Sequence, residues 1–125
     1  MLLHRNVKSS GPTVLVVKDE KGAVFGCFSA VSWEPQRTQS YIGTGETFLF
    51  TTAPQFQVWH WSHANSFFML AKDDGIAVGG GGCNGLWLDA EFNSGTSGPS
   101  STFNIKCLAS SESFYCLEVQ CWSLD

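Results

Sequence analysis

Short apolar runs separated by turn residues recur along this chain, and their lengths are those of strands. Val14-Leu15-Val16-Val17 is a β-branched run, Lys18-Asp19-Glu20-Lys21-Gly22 is turn chemistry, and Ala23-Val24-Phe25-Gly26-Cys27-Phe28 resumes the apolar run. Together they predict a hairpin. A polar stretch from Glu34 to Ser40, containing Pro35, separates it from a strand over Thr47-Phe48-Leu49-Phe50-Thr51, which Ala53-Pro54 closes. Further short runs at Phe56 to Trp61, Ser66 to Ala71, Ile76 to Val78 and Leu86 to Leu88 are each bounded by Gly, Asn, Asp or Ser. That spacing suits an antiparallel meander. Near the end, Tyr115, Leu117, Val119 and Cys121 alternate with Cys116, Glu118 and Gln120, the pattern of a half-buried strand. No stretch carries a helical period of similar length. A mainly β fold is expected, a two-sheet antiparallel sandwich that buries so many inward faces.

Neither an internal repeat nor a long linker divides the 125 residues, so residues 1–125 are read as a single domain. Hydrophobic residues make up 43% and charged residues 14%, which is the composition of a packed fold and not of a disordered tail. Net charge is −4, and the basic residues, among them Lys8, Lys18, Lys21, Arg37, Lys72 and Lys106, are scattered. Without a basic stripe to collect phosphates, nucleic acid is not an expected partner. Met1-Leu2-Leu3 gives way at once to His4-Arg5, which leaves no signal-peptide core and no spanning helix. A cytoplasmic location is expected, without membrane insertion.

Five cysteines, Cys27, Cys83, Cys107, Cys116 and Cys121, are an odd number without a secretory signal, and reduced thiols are expected. The nearest metal-ligand pairs are Cys116 with Cys121 and His60 with His63. Both separations are odd, which in a regular strand puts the two side chains on opposite faces, so no zinc or other metal is expected. Gly79-Gly80-Gly81-Gly82 lacks the closing Lys and Ser/Thr of a phosphate loop, since Cys83-Asn84-Gly85 follows. The run reads as backbone that adopts positive φ or passes close to another strand. Ser94-Gly95-Thr96-Ser97-Gly98-Pro99 only loosely resembles a nucleophile elbow and reads as a flexible surface loop. Glu46, after Gly43-Thr44-Gly45, and Asp89, after Leu86-Trp87-Leu88, are the acids in the most glycine-rich or apolar settings. They could do acid–base work if they shared a cleft, or each could clasp backbone amides. For Glu46 the buried clasp is the favoured expectation. No catalytic set and no cofactor site emerges.

Tyr41-Ile42-Gly43-Thr44-Gly45-Glu46-Thr47-Phe48-Leu49-Phe50, the glycine run and Leu86-Trp87-Leu88-Asp89 together resemble the TLDc (TBC/LysM-associated) domain. Supporting segments, in the family's order, are Val14 to Asp19, Val24-Phe25-Gly26, Asn65-Ser66-Phe67-Phe68, Ser101-Thr102-Phe103-Asn104 and Leu117 to Trp122. The resemblance implies a β-sandwich with a few short helices, protection against oxidative stress as in the oxidation resistance proteins, and binding and regulation of the vacuolar proton-pumping ATPase. It implies no enzymatic activity. Family domains usually carry a further N-terminal segment of roughly fifty residues, of which only Leu3-His4-Arg5 matches here, so the domain is read as N-terminally truncated, with apolar edge and face exposed. The ending Cys121-Trp122-Ser123-Leu124 stands where the family more often has a Trp-Ala-Phe-like sequence.

The function expected is therefore a non-enzymatic interaction module that binds vacuolar ATPase subunits, peripheral on lysosomal, vacuolar or other pump-bearing membranes through the pump. Gly43, Gly45, Glu46, Gly80, Gly81, Trp87 and Asp89 are its candidate fold-defining or partner-facing residues. Two alternatives stand beside it. One is a thiol antioxidant using Cys83, after the glycine run, or Cys107, next to Lys106. The other is a cryptic hydrolase using Glu46 or Asp89.

Overall fold

Every second residue of Thr13–Asp19 is buried: Thr13, Leu15, Val17 and Asp19 point inward, and Val14, Val16 and Lys18 point outward. This β1 strand carries the apolar run Val14 to Val17 that predicts it, with one face buried more deeply than the other. The computed structural model describes residues 11–33 and 40–124. Residues 34–39 of the polar stretch, together with Lys8, Arg37 and the Leu3-His4-Arg5 match, lie outside the described residues. After β1 come β2 (Val24–Ser29), β3 (Phe48–Ala53), β4 (Gln57–Trp59), β5 (Met69–Lys72), β6 (Gly75–Val78), β7 (Leu86–Asp89), β8 (Ser94–Thr96) and β9 (Ser113–Ser123).

The fold is mainly β and all the pairings are antiparallel. In two respects it differs from the expectation. The described residues contain no helix, the segment Ser101–Asn104 being a turn. The strands also form one continuous sheet of order β4-β3-β2-β1-β9-β8-β7-β6-β5, where two separate sheets were expected. The physical reason is the length of β9. Its first three residues pair with β8 and the rest with β1, so one eleven-residue strand belongs to both halves.

The halves nonetheless bury a common core, as a sandwich does. Leu49, Cys27, Leu15 and Cys121 form one cross-strand row, and Ala71, Ile76, Leu88, Gly95 and Phe114 form another. Apart from Gly95, both rows belong to a single buried hydrophobic cluster. Phe25 meets Phe114 edge to face at 5.2 Å, within the favourable range for aromatic pairs. Leu49 reaches Gly85 so closely that a Cβ there would lie 2.8 Å from its Cδ1. Truncating the fully buried Leu49 to Ala would cost about 2–5 kcal/mol, because the void lies where the two halves meet.

Two local readings are corrected by tertiary pairing. Ser94 to Thr96 is a strand, and Gly95, Ser97 and Gly98 are buried, so this segment is no flexible surface loop. Ser97 Oγ donates to Gly85 O and accepts from Leu108 N–H, which uses the hydroxyl structurally. In β9 the register slips opposite Lys18 and Asp19, whose partners are Glu118 and Cys116, so Leu117 is an extra residue. A bulge of this kind shifts the alternation by one. Cys116, paired with the inward Asp19, thereby shares the inner face with Cys121, contrary to the opposite-face expectation. Five residues of strand still separate the two by about 16 Å.

Candidate interaction site

Gly45 marks the centre of the site, because a Cβ there would sit 2.3 Å from Trp61 Cε3. Only glycine lets the loop before β3 lie flat on this indole. Trp61 stacks on His63 with ring centroids 3.9 Å apart, and meets Phe68 edge to face. Its Nε1–H donates to Asn65 O at 2.7 Å. The Asn65 side chain then ties its own loop to the turn at Ser101 and Thr102. Its Oδ1 accepts from Phe67 N–H and from Thr102 Oγ1, and its Nδ2 donates to Ser101 Oγ at 2.9 Å.

Beyond Asn65 lies the glycine run. Gly80 N–H donates to Thr102 Oγ1, Ser100 Oγ donates to Gly80 O, and Ser101 Oγ donates to Gly81 O. Gly81 has φ +76°, and a Cβ there would fall 1.9 Å from Ser101 Oγ, so the run packs as closely as the sequence reading expects. Gly79 and Cys83 N–H groups go to Phe68 O and Pro99 O. With those amides and that of Gly80 already satisfied, the loop is poorly suited to cradle a phosphate. Gly80 also supports Phe67 and Tyr41, whose rings lie 5.0 Å apart, and Asn84 Nδ2 donates to Tyr41 OH and Gly79 O.

The structure therefore gathers Gly43, Gly45, Glu46, Gly80 and Gly81 into one loop cluster, Gly43 by its approach to Met69 and Phe68. Phe67 is 42% exposed there, and Glu46 is exposed. The favoured expectation of a buried Glu46 is corrected: its own N–H donates to Thr44 Oγ1, and its carboxylate has no hydrogen-bond partner among the described residues. Trp87 and Asp89 lie elsewhere. Trp87 covers Gly75, where a Cβ would come within 2.5 Å of its ring, and Lys72 Nζ sits 5.8 Å from the ring centroid. Asp89 accepts from Asn93 N–H and Ser94 Oγ, closing the turn after β7. Glu46, in the turn before β3, and Asp89, at the end of β7, thus belong to different elements, and no serine of the cluster donates to a histidine. The hydroxyls of Ser62, Ser100 and Ser101 each go to a backbone carbonyl.

The TLDc domain family matches the chain over residues 1–125. The chain belongs to that family. Nuclear receptor coactivator 7 from Homo sapiens is 37% identical over 99% of the chain, and oxidation resistance protein 1 from Homo sapiens is 38% identical over 91%. Oxidation resistance protein 1 from Xenopus laevis is likewise 38% identical over 91%. The chain spans about an eighth of the length of these relatives, 13% of each.

In this TLDc domain the strongest backbone clasp is Asp19, which the sequence reading took for turn chemistry alone. Fully buried, its carboxylate accepts from Lys21 N–H, Ala23 N–H, Ser110 N–H and Ser110 Oγ. Burial works to raise its pKa, but those hydrogen bonds outweigh it and hold the group below the ordinary aspartate value. The signal available in the sequence was Asp19 three residues before Gly22, an Asx-type turn. In the sequence Asn65 stands only as part of the family-like segment Asn65-Ser66-Phe67-Phe68, and its role depends on contacts with residues 101 and 102.

The thiols divide by setting. Burial pushes Cys27 far up and raises Cys121, whose shift the Thr13 hydroxyl partly offsets. Cys116 is pushed up to about 11 by burial and then by Asp89, Asp19 and Glu20. These three stay protonated at neutral pH and are poor nucleophiles. Of the two redox candidates, Cys83 is exposed beside the glycine run and packs near Gly98, and Cys107 is half-buried with its thiol directed at Ala109 O.

Proposed function

We propose that this TLDc domain is a non-enzymatic protein-interaction module, and that the loop cluster around Trp61 and the glycine run is its docking surface. It serves resistance to oxidative damage and binds subunits of the vacuolar proton-pumping ATPase from the cytoplasmic side. The observation that carries the reading is a surface of exposed aromatic and acidic side chains, Phe67 and Glu46, held on a hydrogen-bonded base centred on Asn65. A rigid aromatic patch is what protein recognition uses. Family membership and the name oxidation resistance protein 1 support the stress-related role. The pump as partner rests on the family resemblance alone. No helix among the described residues is long and apolar enough to cross a membrane, so the domain would reach a pump-bearing membrane through the pump.

Pull-down of purified pump subunits on the isolated domain, compared with Phe67→Ala and Glu46→Lys, tests this reading. Capture that weakens in both variants while their melting points hold supports it, and no capture by a well-folded domain overturns it. The exposure of Cys83 favours one second reading, a thiol that consumes peroxide directly. Peroxide consumption lost in Cys83→Ser would establish that chemistry, and protection unchanged in the variant would remove it.

A further inference from the structure

Sharing no residue with the loop cluster, a groove of about 310 Å³ runs between the turn after β7 and strand β9. Glu91 to Asn93 form one wall and Cys116 to Val119 the other. Its floor is apolar, since Phe92 and Val119 are 8% and 2% exposed. Leu117 in its lining is 64% exposed, Tyr115 two residues before it on β9 is 70% exposed, and the bulge opposite Lys18 and Asp19 is what brings the extra residue Leu117 outward. Two large side chains held in water beside a cavity favour cover by another apolar surface.

The charges around the groove are nearly all of one sign. Glu91 and Glu118 line it, and Asp19, Glu20 and Asp89 all act on the Cys116 thiol in its wall. Asp19 and Asp89 spend their oxygens on internal donors, and Glu20 Oε1 accepts Tyr115 N–H. Glu118 accepts from Gln120 Nε2. Glu91 is exposed and has no hydrogen-bond partner among the described residues. Lys18, opposite Glu118 on β1, lies outside the groove lining. A carboxylate on each wall above an apolar floor fits a long cationic side chain, whose stem lies on the floor while its head meets the acids.

We propose that this groove docks an extended segment of another protein in which Arg or Lys is flanked by apolar residues. The cation enters between Glu91 and Glu118, and the flanking side chains cover Leu117 and Tyr115. An acidic or phosphorylated segment is repelled by the same field.

The test titrates the whole isotope-labelled domain with an end-blocked Leu-Arg-Leu-Arg-Leu peptide at about 0.15 M ionic strength, where unspecific surface attraction is screened. Amide shifts should concentrate at residues 91–93 and 115–119. Affinity should fall about tenfold or more in Glu91→Gln/Glu118→Gln and in Leu117→Ser, while both keep the parent melting point. A Leu-Glu-Leu-Glu-Leu peptide should cause no shifts. Phe67→Ala should bind the Arg peptide normally, which separates this groove from the pump-docking surface. Shifts spread over all surface acids, or unchanged affinity in the groove variants, would overturn the proposal.

Discussion

Asp19 and Glu46 sit in similar sequence settings, each beside a glycine turn, yet they do opposite things. Asp19 is fully buried and takes donors from Lys21, Ala23 and Ser110, whereas Glu46 is exposed. Asp19→Ala leaves those amides unpaired and should cost about 2–4 kcal/mol, measured by urea unfolding at pH 7. Because the folded pKa of Asp19 is depressed, its stabilisation is complete above the unfolded value of about 3.9 and is lost as pH falls through the folded value. The parent domain should therefore lose stability on acidification below about pH 4, and Asp19→Asn should lose correspondingly less over the same interval. Glu46→Ala should change stability by no more than about 0.5 kcal/mol. A clear fall in its melting point would restore the buried clasp. Which acid clasps was not legible in the sequence, because Ser110 lies 91 residues from Asp19 and only folding brings them together.

Strands were legible where short apolar runs end at turn residues, as in β1 and β3, and where apolar and polar residues alternate, as in the last part of β9, since both patterns are local. The short β8, Ser-Gly-Thr, has too few apolar residues to announce itself and exists because β7 and β9 pair with it on either side. The close approach of the glycine run was also legible, but its partner Asn65 was not. Asn65→Ala would remove the ties to Ser101, Thr102 and Phe67 and should cost about 1–3 kcal/mol. Hydrogen exchange should quicken at Gly80, whose N–H depends on Thr102, and remain slow at Leu15 and Val17 in the core. Uniformly faster exchange would show that Asn65 supports the whole domain and not this surface.

The outer face of the β1 half carries a row of Trp122, Val14, Phe28 and Phe48, with the last two rings stacked 5.3 Å apart. Trp122 and Leu124 are 44% and 54% exposed. The isolated domain should therefore self-associate with concentration, and Trp122→Ser/Leu124→Ser should weaken that association while changing stability by no more than about 0.5 kcal/mol. Sedimentation of both proteins over a concentration series checks it, and a monomer at every concentration would refute it. On this scale the contributions of chain and fold separate clearly. The short apolar runs, the turn residues and the close-packed glycines determined by themselves that the chain is β-rich and where most strands run, because neighbours along the chain carry that information. Tertiary structure alone decided that β9 joins the two halves into one sheet, that a bulge turns Cys116 inward and Leu117 outward, and that Asp19 rather than Glu46 is clasped. Each of those depends on pairing between residues far apart in the chain, which no local pattern encodes.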